Sequence, residues 1–255
     1  MRELKAITIV EDRTTASRCD RGFLTLERLL LRNEYADGSS SADYPCDLVS
    51  RQGIDAVVAV LYEIEGEQRV NVLLRESPRA PVYLRHRKTF VHPDKGSYLT
   101  LMELVAGIVE PEHDEPGDKG KCHRAAVEAH EEAGVELPDE AFEVLGDETF
   151  ASPGTGDEKL FFCGAAASLD EAHQGAGDGS TMEEFGRIHV MELGDAITAC
   201  RTGAIPDMKT EVGLLRLADY LGYLPQLGCF AATLPPELAA RANSLGVQSS
   251  SGDVQ

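Results

Sequence analysis

Positive charge is scarce in this 255-residue chain: 24 lysines and arginines stand against 44 aspartates and glutamates, a formal net charge of −20. A surface of that sign repels nucleic-acid phosphates and anionic lipid headgroups, so neither partner is expected. A polyanionic small molecule would have to be held by local arginines and by metal. The remaining acidity reads as solvated surface.

Long apolar runs are missing too. No stretch reaches the roughly 18 residues of a membrane span, and Met1-Arg2-Glu3-Leu4-Lys5 leads into no hydrophobic signal segment. Neither a span nor an export signal is expected. The six cysteines (Cys19, Cys46, Cys122, Cys163, Cys200 and Cys229) are scattered, with no CxxC pair and no Cys/His cluster of zinc spacing. Cys122-His123 comes nearest and lacks partners. Reduced thiols in a cytoplasmic protein are the reading. No internal repeat is evident, and aromatics make up only 6%, yet 42% apolar content is ample for a core in one large or two small domains.

What is present centres on Ala126-Val127-Glu128-Ala129-His130-Glu131-Glu132-Ala133-Gly134-Val135. Its three glutamates fall at i, i+3 and i+4, so a helix gathers them on one face a single turn deep. Like charges that close repel. A hard cation relieves the repulsion, because Mg²⁺ binds through a few carboxylates together with substrate phosphates. Gly134 stops the helix where a left-handed residue is easiest. Upstream, the apolar run Leu101–Glu110 halts at Gly107 and gives way to a polar loop before the acidic helix.

Around this centre the chain reads mostly as strands. Gly22–Arg32 and Ala42–Ser50 flank the turn Asn33–Ser41 and predict a hairpin. Ile54–Tyr62 is a near-continuous apolar run, as a buried strand requires. Val70–Arg75 returns after Gly66, and Leu99–Val105 precedes the acidic helix, placed at Gly120–Ala133. Phe142–Phe150, Leu160–Ala166 and Phe185–Met191 are further strands. Helices are expected over Leu193–Arg201 and Asp207–Tyr220, with a short one around Pro236–Asn243. The last ten residues, rich in Ser and Gly, are expected to be disordered. Strands on both sides of a central helix, with helices at the end, suggest α+β layers.

Strand, glycine, loop and Glu-rich helix together resemble the Nudix hydrolase signature, Gly-x5-Glu-x7-Arg-Glu-U-x-Glu-Glu-x-Gly-U with U aliphatic. Gly107 fits the opening glycine, and Glu128, Ala129, Glu131, Glu132, Gly134 and Val135 fit the closing half. Val127 stands where the signature has arginine, and Lys119 where it has its central glutamate. The stretch from Gly107 to Val127 is also six residues longer, an excess assigned to the loop Glu112–Lys121. Arg124, one turn before Glu128, is a candidate replacement for the missing positive charge.

Within the superfamily the chain resembles the branch of ADP-ribose and nucleoside-diphosphate-sugar pyrophosphatases. An N-terminal hairpin precedes the box, Leu73-Leu74-Arg75-Glu76 with Arg79 is similar to that branch's Leu-Leu-Arg segment, and Ser152-Pro153-Gly154-Thr155 is similar to its Ser-Pro-Gly loop. The resemblance covers roughly residues 18 to 225. It implies an α/β/α sandwich, with residues 1–50 as an N-terminal β subdomain for homodimerisation, 51–227 as the hydrolase domain and 228–255 as an extension.

The resemblance also implies the chemistry: water attacks the pyrophosphate linkage of a nucleoside diphosphate bearing a sugar, with Mg²⁺ or Mn²⁺. ADP-ribose, giving AMP and ribose 5-phosphate, leads. A UDP- or GDP-sugar, or a weakly catalytic nucleotide-binding module, is the alternative. Metal ligands would be Glu128, Glu132, Glu131 and the Ala106 carbonyl, while Arg75 and Arg79 offset substrate charge and Glu103, Gly107 and Pro153 line its pocket. Gly175–Thr181 is the mobile loop in this scheme. After it, Glu184 is the metal contact and Glu183 the general base, although either glutamate suits either role. Tyr83, Phe90 and Tyr98 are open candidates for stacking a base.

Overall fold

The computed structural model of the chain describes residues 22–66, 68–110, 115–176 and 185–245. Strands β1 (Leu24–Leu31) and β2 (Tyr44–Arg51) form an antiparallel hairpin, in register from Leu24 opposite Arg51 to Leu31 opposite Tyr44. The main sheet is built from β3 (Ala56–Glu65), β4 (Arg69–Pro78), β5 (Thr100–Glu103), β6 (Val105–Ile108), β7 (Glu143–Val144), β8 (Thr149–Phe150), β9 (Lys159–Ala166) and β10 (Arg187–Glu192). A short helix α1 (Ala80–Tyr83) follows β4, and the long α2 (Asp118–Ala133) follows β6. After β10 come α3 (Leu193–Thr202), α4 (Met208–Leu221), the small pair β11 (Tyr223–Leu224) and β12 (Cys229–Phe230), and α5 (Pro236–Ser244).

The central strand explains the layering. Along β3, Val58, Val60 and Tyr62 pack with Leu193, Ile197, Leu214 and Leu217 of α3 and α4. The alternate residues Val57, Ala59 and Leu61 pack with Ala125, Ala129 and Ala133 of α2. Side chains of a strand alternate between faces, so a strand covered on both must be apolar throughout. Burying each such Val or Leu is worth roughly 1.5–3 kcal/mol. The alanine face of α2 lets that helix lie close on the sheet. β3 runs parallel to β9 and antiparallel to β4 and β6, which makes the sheet mixed. The α+β class expected from the sequence is observed, with one helical layer on each face of the sheet.

Three local expectations are corrected. The strand expected over Leu99–Val105 is two strands broken at Leu104, whose N–H donates to Oγ1 of Thr210 in α4 at 2.9 Å. β5 then pairs with β4 while β6 pairs with β3. The strand expected over Phe142–Phe150 is likewise two short pieces, β7 and β8, because Gly146 turns the backbone at φ +79°. Helix α2 begins at Asp118, inside the segment Glu112–Lys121 expected as loop; residues 112–114 of that segment lie outside the described residues.

The cysteines among the described residues are free, with Cys122, Cys163 and Cys200 buried. Burial pushes the Cys163 thiol well above its ordinary value and that of Cys200 to about 11. No helix among the described residues is long and apolar enough to cross a membrane. The C-terminal ten residues and Cys19 lie outside the described residues.

Candidate active site

The i, i+4 spacing of Glu128 and Glu132 stacks their carboxylates on the face of α2 that meets β6, and both residues are buried, at 8% and 6% exposure. Two buried carboxylates one turn apart demand compensation, because an uncompensated buried charge costs several kcal/mol (roughly). The sheet supplies it. Nη1 of Arg75, from β4, donates to Oε1 of Glu132 at 2.7 Å, and the Ala106 N–H reaches Oε2 of the same residue at 3.3 Å. Arg75 is itself buried, so this is an ion pair withdrawn from water.

Glu128 sits against the backbone of β6. A β-carbon built on Gly107 would fall 1.6 Å from its Oε1, so only glycine leaves room for the carboxylate there. Arg124 approaches the same oxygen with Nη1 at 3.6 Å, while its Nη2 donates to Oε2 of Glu110 at 3.2 Å. Positive charge thus reaches the helix face from Arg124, one turn earlier than the Val127 position. Gly134 closes the helix in the left-handed conformation, φ +64°.

A second layer of charge lies beside this one. The β4–β5 register sets Glu103 opposite Arg75. Glu103 accepts from Nε of Arg79 at 2.5 Å and lies 3.0 Å from Nζ of Lys209. Lys209 also bonds Oδ2 of Asp207 at 2.9 Å, and that carboxylate caps α4 by accepting from the Thr210 N–H at 3.0 Å. The start of α4 is therefore fastened to the β5–β6 junction by Thr210 and to Glu103 by Lys209. Next to Arg75, Glu76 accepts from Oγ1 of Thr100 at 2.6 Å and lies 3.1 Å from Nε2 of His189. Burial acts to raise the Glu76 pKa, but the bonds from Thr100 and His189 and the charge of Arg187 outweigh it and hold the group below its ordinary value.

Arg75, Arg79, Glu103, Ala106, Gly107, Glu128 and Glu132 are brought together. Glu131, adjacent on α2, is only partly buried, and its side chain enters no ion pair with the group among the described residues. Pro153 is exposed in a loop that turns to the hairpin: the Val49 N–H of β2 donates to the Thr155 carbonyl at 2.9 Å. Glu183 and Glu184, with most of the loop Gly175–Thr181, lie outside the described residues. Lys209 and Asp207 were not anticipated. Pro206-Asp207-Met208-Lys209-Thr210 is legible as a helix start, but nothing in its spacing points to Glu103, 106 positions earlier.

Among the described residues no group of three or more His, Cys, Asp or Glu side chains is arranged to hold a metal ion. In kind, however, the donors fit a hard cation: two buried carboxylates beside a backbone kept bare by Gly107. Two side chains make only part of such a shell, and the rest must come from backbone carbonyl, water or ligand oxygens. No protein-family profile and no curated protein matches the chain.

Proposed function

We propose that the chain is a divalent-metal-dependent hydrolase of the Nudix type, cleaving the pyrophosphate linkage of a nucleoside diphosphate joined to a sugar, with ADP-ribose to AMP and ribose 5-phosphate as the leading reaction. One observation carries this reading: the Glu128 carboxylate rests on the bare Cα of Gly107 while Arg75 and the Ala106 N–H hold Glu132 beside it. The resemblance to the signature rests on the same residues.

In this reading Glu128, Glu132, Glu131 and the Ala106 carbonyl would hold Mg²⁺ or Mn²⁺, with Glu184 joining from its loop. The ion supplies charge neutralisation on phosphate oxygens and a lowered pKa for a bound water. The chain's own residues do the rest. Arg79, 42% exposed at the side chain, presents cationic surface to the substrate's phosphates, while Arg75 is committed to positioning Glu132. Lys209 holds Glu103 behind Arg79. Glu183 serves as the base that takes the proton of the attacking water.

A second reading has its own support. Arg75 on Glu132 and Arg124 near Glu128 already balance both carboxylates, as a nucleotide-binding module without strong catalysis would require. A UDP- or GDP-sugar substrate is compatible with the same phosphate chemistry. The hairpin supports the proposed homodimer, since a two-stranded ribbon is marginal alone and leaves Leu30 at 72% and Leu24 at 49% exposure.

The experiment is an Mg²⁺-dependent screen of nucleoside-diphosphate sugars, dinucleotides and nucleoside triphosphates with product analysis. Sugar-phosphate and nucleoside monophosphate products are expected. Preferential cleavage of triphosphates would overturn the branch, and no metal-dependent cleavage of any would favour the binding module.

A further inference from the structure

Glu103 divides its carboxylate between two cations, one oxygen to each. Oε2 accepts from Nε of Arg79 at 2.5 Å, and Oε1 lies 3.0 Å from Nζ of Lys209. The Glu103 side chain is only 7% exposed, so both contacts are largely withdrawn from water. An arginine and a carboxylate frequently meet fork to fork, with two parallel bonds. Arg85 and Asp94 do so in this same chain, through Nε to Oδ2 and Nη2 to Oδ1. Arg79 instead meets Glu103 through Nε alone, and its two terminal nitrogens make no hydrogen bond among the described residues.

Lys209 is fixed by the fold before any ligand arrives. Its Nζ lies 2.9 Å from Oδ2 of Asp207, the residue that caps α4. The same oxygen accepts from the hydroxyl of the fully buried Thr210 at 2.6 Å, and that hydroxyl accepts from the Leu104 N–H at 2.9 Å. A β-carbon on Gly213 would fall 2.6 Å from Cδ1 of Leu104, so the helix seats that side chain against bare backbone. The start of α4 therefore grips Leu104 by backbone and side chain, and presents Lys209 to the preceding residue, Glu103.

We infer that Lys209 is a positioning residue for the phosphate contact: by holding Oε1 of Glu103 it prevents a bidentate grip on Arg79, and so leaves Nη1 and Nη2 of that arginine to a phosphate of the ligand. This rests on Arg79 as the phosphate contact of the proposed function and deepens it. Arg79 and Lys209 together balance Glu103 and Asp207. Without Lys209 the group keeps one negative charge in excess beside Arg79, and Glu103 is free to turn both oxygens to the guanidinium. Carboxylate and phosphate then compete for the same fork of donors.

The test measures binding to the full chain by calorimetry with Mg²⁺ present, using ligands that cannot be cleaved between their phosphorus atoms. The probes are the α,β-methylene analogue of ADP-ribose and methylenediphosphonate, which keeps the two phosphorus groups without base or sugar. Lys209→Met is expected to weaken binding of both by about tenfold, the value of one charge-assisted bond. Lys209→Arg, which returns a cation to Oε1, is expected to restore it. In a Glu103→Gln background Lys209→Met should add no further loss, because no carboxylate is left to close on Arg79. Thermal melts establish that the compared variants are folded; if Lys209→Met is not, Lys209→Gln carries the same expectation. Unchanged binding in the folded Lys209 variant, an equal loss in the Glu103→Gln background, or failure of wild type to bind either probe would each overturn the inference. Metal-dependent hydrolysis with binding indifferent to Lys209 defeats the positioning role alone. Lys209-dependent binding without metal-dependent hydrolysis defeats the catalytic reading alone.

Discussion

The carboxylate of Glu128 occupies the space that a side chain on Gly107 would need, with 1.6 Å between its Oε1 and the nearest possible β-carbon. A helix side chain and a strand backbone are thus fitted to each other across 21 positions of sequence, and the fit defines where the carboxylate can stand.

Gly107→Ala should therefore act on the site more than on the fold. The atom in the way is the flexible end of Glu128, which can swing aside, so the stability loss should stay near 1 kcal/mol, a shift of about 2–4 °C in thermal midpoint. Metal-dependent hydrolysis should fall at least about tenfold as the carboxylate leaves its place. Thermal melts beside kinetics check this; a large loss of stability with normal turnover would refute it.

Arg75 and Glu132 form a buried ion pair, and breaking one half should be severe. Arg75→Met leaves an uncompensated carboxylate in the interior, with an expected loss of roughly 3–5 kcal/mol. Arg75→Met/Glu132→Leu, which removes both charges, should recover much of it. Urea titrations of the single and double variants separate the two outcomes.

Arg124 carries positive charge to Glu128, 3.6 Å away, from a position one turn before Val127. Val127→Arg should then change activity by less than about twofold, whereas Arg124→Gln should lower it by about tenfold through a misplaced Glu128. A large gain from Val127→Arg would show that the site lacks a brace.

Glu76 has a folded-state pKa below its ordinary value, held there against burial by Thr100, His189 and Arg187. A depressed carboxylate pKa stabilises the fold above the unfolded-state pKa, and that contribution is lost as pH falls through the lower, folded value. Acid unfolding of Glu76→Gln should accordingly be less steep below pH about 4.5, with lower stability at neutral pH. Equilibrium denaturation across that range tests the sign.

The acidic face of α2 was legible because helical spacing is fixed: Glu128 and Glu132 must share a side wherever the helix packs. β3 was legible as a buried strand for a similar reason, since its unbroken apolar run suits cover on both faces. The break at Leu104 was not, because the residues on either side are equally apolar and the cause is a hydroxyl on Thr210. Lys209 escaped notice because its partner Glu103 comes from a strand far upstream, and tertiary folding alone joins them. Arg75 was expected to face substrate, yet the structure commits its Nη1 to Glu132; strand alternation placed it in the site without choosing its partner.

The central claim is that the paired carboxylates of α2 carry metal-dependent pyrophosphate hydrolysis, and Glu132→Gln tests it most directly. The substitution keeps size and removes the charge. With Mg²⁺ and ADP-ribose, hydrolysis is expected to fall by at least about a thousandfold with substrate binding largely kept; because the substitution also breaks the buried pair with Arg75 and lowers stability, turnover is compared at a temperature where both proteins give the folded spectrum. Turnover close to wild type in the Glu132→Gln protein would contradict it.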